Sequence, residues 1–311
     1  MESRLTVSSS PHIRSQETTQ KIMRDVTIAL LPAAAFGVYN FGMSALLVLV
    51  VSVLSAILSE ALVQKMRKQP VTINDFSAVV TGLLLGMNLP STVPIWIPII
   101  GSAFAIIIVK QAFGGLGHNF MNPALAARAM LVASWPVQMT TWPQMTVDAT
   151  SSATPLGIIK EGLDVSMPSI QSFIVGNVNG CIGETSALLL VLGGAFLIYR
   201  GIISIRIPGI YIGTVAVLTL ILSGFDINLT IVNIFAGGLM LGAFFMATDY
   251  ASSPITAKGQ IIYAVGMGLL TTIIRFYGGY PEGVSYSILL MNVAAPLIDK
   301  FTKPRVFGGA K

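Results

Sequence analysis

The sequence predicts an all-α polytopic membrane protein of about ten transmembrane helices, arranged as two inverted five-helix repeats. Three observations carry this expectation. Only 10% of the 311 residues are charged while 54% are hydrophobic, where a soluble domain carries about 25% charge. So few charges cannot cover a water-facing surface, and mean hydropathy is +0.79. Apolar runs recur from Val26 to Phe301, whereas a signal peptide supplies one run near the start. Lys and Arg gather in alternate connecting segments, as the positive-inside rule requires of a multi-pass chain.

Taken in order, residues 1–24 form a polar tail without an apolar core, and their Ser, Thr and Gln content predicts disorder over about the first dozen. The candidate spans are 25–41, 43–64, 73–89, 93–113 and 120–136, then 184–200, 207–224, 230–248, 259–277 and 284–300. The second is the clearest: SALLVLVVSVLSAILSEALV holds twelve Leu, Ile or Val beside one acid, Glu60. At about −0.3 to −0.6 kcal/mol each, they outweigh a buried acid at about +3 kcal/mol. The fifth, with Pro123 near its start, reads as a half-helix. Placing the N-terminus inside puts fifteen of the eighteen basic residues in inside segments, Lys110 among them. Lys160 and Arg275 fall outside, and Arg128 lies within the fifth span. Both termini are then cytoplasmic, with residues 301–311 as the C-terminal tail. This placement accounts for the net charge of +5 without nucleic acid; the partner it implies is the lipid bilayer.

Residues 137–183 are too polar to span and form an external loop between the repeats 25–136 and 184–300; Trp135 and Trp142 suit its membrane interface. The two halves share features in order. TGLLLGMNLP in the third span matches AGGLMLGAFFMATD in the eighth, and KQAFGGLGHNFMNPALA matches IRFYGGYPEGVSYSILLMNVAAP. Five spans per half require the repeats to be inverted, an arrangement common in transporters, with a site near the repeat interface.

The stretch that points to chemistry is DATSSATPL, Asp148–Leu156. On composition alone it is a turn-rich loop, since Ser, Thr and Asp bond neighbouring backbone and Thr before Pro is extended. Yet an Asp followed by a short Ser/Thr run and Ala-Thr resembles the acceptor motif of flavin transferases, which join the phosphate of FMN to a Thr hydroxyl. With RDVTIALLPA, GGLGHNFMNPALAARAML, GETSALLLVLGGAFLIYRGIISIRIP and FFMATDYASSP, the chain resembles the RnfD/NqrB family. Its members are membrane components of the Rnf electron-transport complex and of the sodium-pumping NADH:quinone oxidoreductase. The resemblance covers most of the chain, and the length fits the Rnf member better. It implies a bacterial inner-membrane component of a ferredoxin:NAD⁺ oxidoreductase that pumps Na⁺ or H⁺, working with the Rnf subunits A, B, C, E and G. It further implies covalent FMN on Thr154, with Asp148, Ser152 and Ala153 forming the acceptor motif for the flavin transferase. Ser152 stands where a Gly is often found, which keeps the position small. The quinone-reductase relative also holds a noncovalent riboflavin, which stays open here. The acceptor is expected to be an exposed hydroxyl on a flexible segment, with Pro155 preventing a helix through the site.

Other residues carry less. GGLGHN (Gly114–Asn119) follows an apolar helix, so it lacks the context of a dinucleotide fingerprint. His118 and Asn119 could line a flavin or ion path; a structural histidine is the plainer reading. Arg128 needs a carboxylate partner or a flavin phosphate, because an intramembrane charge must be compensated. Glu60, Asp75, Glu184 and Asp249 sit near span ends, where solvated or capping roles are expected, with Thr248 and Asp249 also candidates for an ion path. One cysteine, Cys181, excludes a disulfide or a cysteine-ligated cluster within the chain. No metal site is expected. An inverted-repeat transporter or channel without a redox group remains the alternative reading.

Overall fold

The computed structural model describes residues 17–142, 154–161, 170–176, 178, 180–279 and 282–303. The first dozen residues, and with them the disorder expected there, lie outside the described residues. Every regular element among the described residues is helical. The first half contains α1 (Thr19–Phe41), α2 (Met43–Met66), α3 (Ser77–Met87), α4 (Trp96–Phe104) with a π-helical continuation Ala105–Gln111, and α5 (Pro123–Ser134). Three short helices follow: α6 (Pro136–Thr140), α7 (Pro155–Glu161) and α8 (Ile170–Val175). The second half contains α9 (Ala187–Tyr199), α10 (Arg206–Leu222), α11 (Ile227–Phe235), α12 (Leu239–Leu241) running into π-helical Gly242–Met246, α13 (Ala257–Tyr277) and α14 (Val284–Thr302).

Each apolar segment expected from the sequence coincides with one helix or a helix and its continuation. Length divides them. Among the described residues α1, α2, α13 and α14 are long and apolar enough to cross a bilayer, and α11 with the Leu239–Met246 segment passes as a pair bent by 57°. The remaining five segments are apolar helices of 10–17 residues, shorter than the roughly 20 a straight crossing needs. The chain is an integral membrane protein. Its outward faces are greasy, with Leu47, Leu54, Leu58 and Leu62 on α2 and Ile262, Val265, Leu269 and Ile273 on α13 all exposed.

Local chemistry sets the helix ends. The Asn122 side chain accepts from the amides of Ala124 (3.0 Å) and Leu125 (3.2 Å), with Pro123 at the first helical position of α5; both residues are favoured there. Asp75, at the end of the 3-10 turn Ile73–Asp75, accepts from the Ser77 amide at 2.8 Å and the Ser77 hydroxyl at 2.6 Å, one residue ahead of Phe76, the N-cap of α3. Small residues then let helices close up. A Cβ at Gly193 of α9 would stand 2.4 Å from the Ala29 carbonyl of α1, and one at Gly82 of α3 would stand 2.7 Å from Val53 Cα of α2.

Two expectations need correction here. Glu60 is not solvated at a span end: it is 1% exposed and accepts from Lys110 Nζ at 2.8 and 3.0 Å. Lys110 is not a loop cation. It lies in the π-helical turn of Ala105–Gln111, 1% exposed, and also donates to Ser77 Oγ at 2.6 Å. Gln111 Nε2 adds a bond to Glu60 at 2.7 Å, so the pair is compensated inside the fold rather than by water.

Removing one member of a buried ion pair leaves the other uncompensated, at a cost of about 3–5 kcal/mol. Lys110→Met should therefore lower the melting midpoint in detergent markedly, and Glu60→Leu/Lys110→Met should recover most of the loss. A double variant as unstable as the single one would contradict this account of the pair.

Candidate functional site

The helix break between α11 and α12 organises the site. Gly237 (φ +69°) and Gly238 (φ +67°) turn the chain through the left-handed region, which glycine enters without steric cost. The turn exposes the end carbonyls of α11. Arg275 of α13 covers them: its guanidinium donates to the carbonyl of Asn233, to that of Ala236 at 3.0 Å and to that of Gly237 at 3.3 Å. Arg275 is only 6% exposed and not the external loop cation expected. The terminal turn of an α-helix leaves its last carbonyls without helical partners, and in an apolar body a cationic donor is an effective cover.

Helix α7 packs against both α11 and α13. Leu156 joins Phe173, Val232 and Ala236 in a separate apolar cluster. Thr154 stands immediately before this helix. Its Oγ1 accepts from the Gly157 amide at 3.2 Å, and its carbonyl accepts from the Ile158 amide at 2.9 Å. The residue is 6% exposed and lines a narrow cleft with Leu156, Phe173, Glu184, Phe235 and Gly237. The expected exposed hydroxyl on a flexible segment is thus a buried helix cap, and Pro155 starts a helix instead of preventing one. The reason is local: Thr caps, Pro is pre-organised for the first helical position, and Leu156 and Ile159, three apart on the helix, supply an apolar face to bury. Asp148, Ser152 and Ala153 lie outside the described residues.

Glu184 reaches the same cleft from a 3-10 turn, Ile182–Glu184, that is tied to the end of α3 by the Ile182 amide donating to the Leu89 carbonyl at 3.1 Å. A Cβ at Gly238 would stand 3.0 Å from Glu184 Oε1, and that oxygen is buried without a hydrogen-bond partner. Glu184 is therefore a wall of the cleft, not a solvated span end. Beside it, Arg128 pairs with Glu282 and donates to Ser285 Oγ at 3.0 Å, Asn88 Oδ1 at 3.3 Å and Cys181 Sγ at 3.4 Å. Of the two partners expected for Arg128, it has the carboxylate. Cys181, Glu184 and Glu282 bring one ligand-type atom each within 4.8 Å of one another, but the Arg128 guanidinium bonded to two of them disfavours a metal cation.

Asn119 belongs elsewhere. Its Nδ2 donates to Asp249 Oδ2 at 3.2 Å and to the Met121 carbonyl at 3.1 Å. With Thr248, Asp249 and Lys110 it lines a second cavity, with about 100 Å³ of water-sized space, that shares no lining residue with the Thr154 cleft. Asp249 also accepts from Ser252 Oγ at 3.0 Å, so it is enclosed rather than solvated. His118 is exposed beside Gly114. The structure thus joins Asn119 to Thr248 and Asp249, and Arg128 to Glu184 through Cys181 and Glu282. It does not join His118 or Asn119 to Thr154. Sequence reasoning missed Glu282 and the capping role of Arg275, because the partners of both lie far away in the chain, at Arg128 and at Asn233–Gly237.

The family model described as the NQR2, RnfD, RnfE family matches residues 6–308. The chain belongs to this family. It is 59% identical over 310 residues to the D subunit of the Na(+)-translocating ferredoxin:NAD(+) oxidoreductase complex of Acetobacterium woodii, covering 99% of this chain and 96% of that one. It is 51% identical to the D subunit of the proton-translocating ferredoxin:NAD(+) oxidoreductase complex of Clostridium ljungdahlii, covering 97% and 96%. The D subunit of the ion-translocating oxidoreductase complex of Aliivibrio salmonicida is 37% identical, covering 98% and 99%. Within the family, relatives this similar are named for different ions, so membership does not fix the ion.

Cys181 is 0% exposed, and its Sγ donates to the Asn88 carbonyl at 3.2 Å. A membrane-permeant maleimide should leave it unlabelled in native membranes and label it fully after denaturation in SDS. Rapid labelling in native membranes would contradict this packing.

Proposed function

We propose that this chain is the RnfD component of an ion-translocating Rnf-type ferredoxin:NAD⁺ oxidoreductase and carries FMN bonded through its phosphate to Thr154. The observation that carries the reading is the acceptor stretch Asp148–Thr154 in a chain that matches D subunits of such complexes end to end. The described part of the cleft has room for about one water and is lined by the Glu184 carboxylate and no cation, so as it stands it does not fit the phosphate, and the reading rests on the acceptor stretch. The Thr154 hydroxyl lines it, apolar Leu156, Phe173 and Phe235 wall it, and water-sized space is about 10 Å³.

Bound FMN would supply one- and two-electron redox chemistry, which is the cofactor's own. The chain's residues hold and orient it. Thr154 provides the bonding oxygen, and the burial of Leu156 and Ile158 fixes the segment that bears it. Arg275 covers the end carbonyls of α11, and Phe235, Ala236 and Gly237 at that helix end line the cleft. The chain works as one component among subunits A, B, C, E and G, with a flavin transferase making the attachment. Ten crossings in two inverted halves, cytoplasmic termini and a flavin loop on the outer side complete the reading. The repeat alone draws support from a contact between its two Met-Asn pairs: the Asn122 amide donates to Asn292 Oδ1 at 3.1 Å. The cavity at Asn119 and Asp249 lends support to the second reading, a transporter without a redox group.

Expressed with an active flavin transferase, the intact chain should give a fluorescent band on a denaturing gel under ultraviolet light. Thr154→Ala should be dark, Thr154→Ser bright, and the complex carrying Thr154→Ala should lose ferredoxin-driven NAD⁺ reduction. A dark wild-type band favours the transporter; a bright Thr154→Ala moves the attachment to another hydroxyl.

A further inference from the structure

We propose that the docked position of α7 is the conformation of the unmodified chain: α7 leaves its seat for Thr154 to receive a flavin phosphate, and the esterified residue does not re-enter it. The inference rests on the flavin reading above and starts from a mismatch. The cleft that Thr154 lines has about 10 Å³ of water-sized space, room for about one water. Among the described residues its charged lining is one carboxylate, Glu184, whose Oε1 is buried without a hydrogen-bond partner. An anionic diester needs more volume than that, and it needs cationic or N–H donors where the carboxylate stands.

The hydroxyl is also withheld from an enzyme. Thr154, Pro155, Leu156, Gly157 and Ile158 are consecutive buried residues. Successive residues of a helix point around its axis, so the first turn of α7 is inserted between other elements rather than laid on a surface. It packs on α11 and α13, and a Cβ at Gly237 would stand 2.4 Å from Leu156 Cδ1. Towards its other end Lys160 Nζ donates to the carbonyl of Gly278, just after α13. The burial that fixes this segment in the unmodified chain is therefore what closes Thr154 to modification. The seat can be vacated at small cost. Leu156 and Ile159 pack with Phe173, Val232 and Ala236 in a cluster distinct from the main core that joins the long helices. With seven residues, α7 is too short to be stable by itself and depends on that cluster. Leaving the seat breaks a satellite of the fold and spares the core, which is the condition for a local opening.

The test follows flavin uptake by the purified full-length chain from a flavin dinucleotide. The Thr154 oxygen replaces a nucleoside monophosphate on the FMN phosphorus, and the monophosphate and the hydroxyl proton leave. Where the rate is proportional to transferase, it reads the fraction of chain with α7 undocked. Phe173→Ala lies outside the acceptor stretch and removes the largest buried side chain of the seat. It should raise the rate about tenfold or more, because truncating a buried phenylalanine costs more than the energy that shifts an equilibrium tenfold. An unchanged rate overturns the proposal. If Phe173→Ala does not fold, hydrogen exchange on wild type decides. The Ile158 amide donates to the Thr154 carbonyl at 2.9 Å, not to the oxygen that is esterified, so its protection reports the docked helix. It should be protected in the unmodified chain and exchange about tenfold faster or more once flavin is attached. Equal protection in both forms overturns the proposal. A wild type that takes up no flavin at all defeats the Thr154 reading itself, and this inference with it.

Discussion

A helix cannot end inside an apolar body with its carbonyls bare, and the architecture of the site follows from how this chain meets that constraint. The break at Gly237 and Gly238 bends the α11–α12 pair by 57°. The carbonyls it frees are covered by one side chain from a different helix, Arg275. Unsatisfied backbone groups in lipid cost several kcal/mol each, and irregular backbone persists there only where protein or a cavity surrounds it. The cover makes the break tolerable, and the break makes room. In that room α7 packs, Glu184 reaches in, and the Thr154 hydroxyl meets a wall of leucine and phenylalanine.

The remaining buried charges act as ties between elements far apart in the chain. Glu60 and Lys110 join α2 to the π-helical turn after α4. Buried Asp25 in α1 accepts from Nη2 of the exposed Arg200 at 2.7 Å, holding the end of α9. Arg128 in α5 reaches Glu282 and Ser285 at the start of α14. Such pairs add little net stability over apolar replacements, but each is strongly selective. A misplaced helix would strand a charge in hydrocarbon, so the pairs favour one arrangement over its neighbours. The two cavities held in this frame differ in chemistry: one has Asn119, Asp249 and Lys110, the other Thr154 and Glu184.

Periodic and compositional signals suffice to place the helical segments, because each apolar run is local and its ends carry caps such as Asn122–Pro123. The glycine pair in AGGLML likewise marks a break in the sequence itself. What escapes sequence reasoning is set by contacts across the chain. Nothing near Lys110 announces that it will meet Glu60, fifty residues away, and nothing near Arg128 announces Glu282. Thr154 illustrates the same limit. Its Thr-Pro pair reads as a loop until Leu156 and Ile159 find Phe173 and Val232 to pack against, after which the same pair becomes a helix start. Asp148, Ser152 and Ala153 carry the motif by resemblance alone.

The central claim is that one hydroxyl at this break bears the redox group, and tandem mass spectrometry tests it most directly. A proteolytic peptide spanning residues 143–160, taken from the chain made alongside an active transferase, should be heavier by FMN less one water. Its fragment ions should change mass at Thr154 and at no earlier hydroxyl. A peptide of unmodified mass, from cells in which the transferase modifies other proteins, would contradict the account.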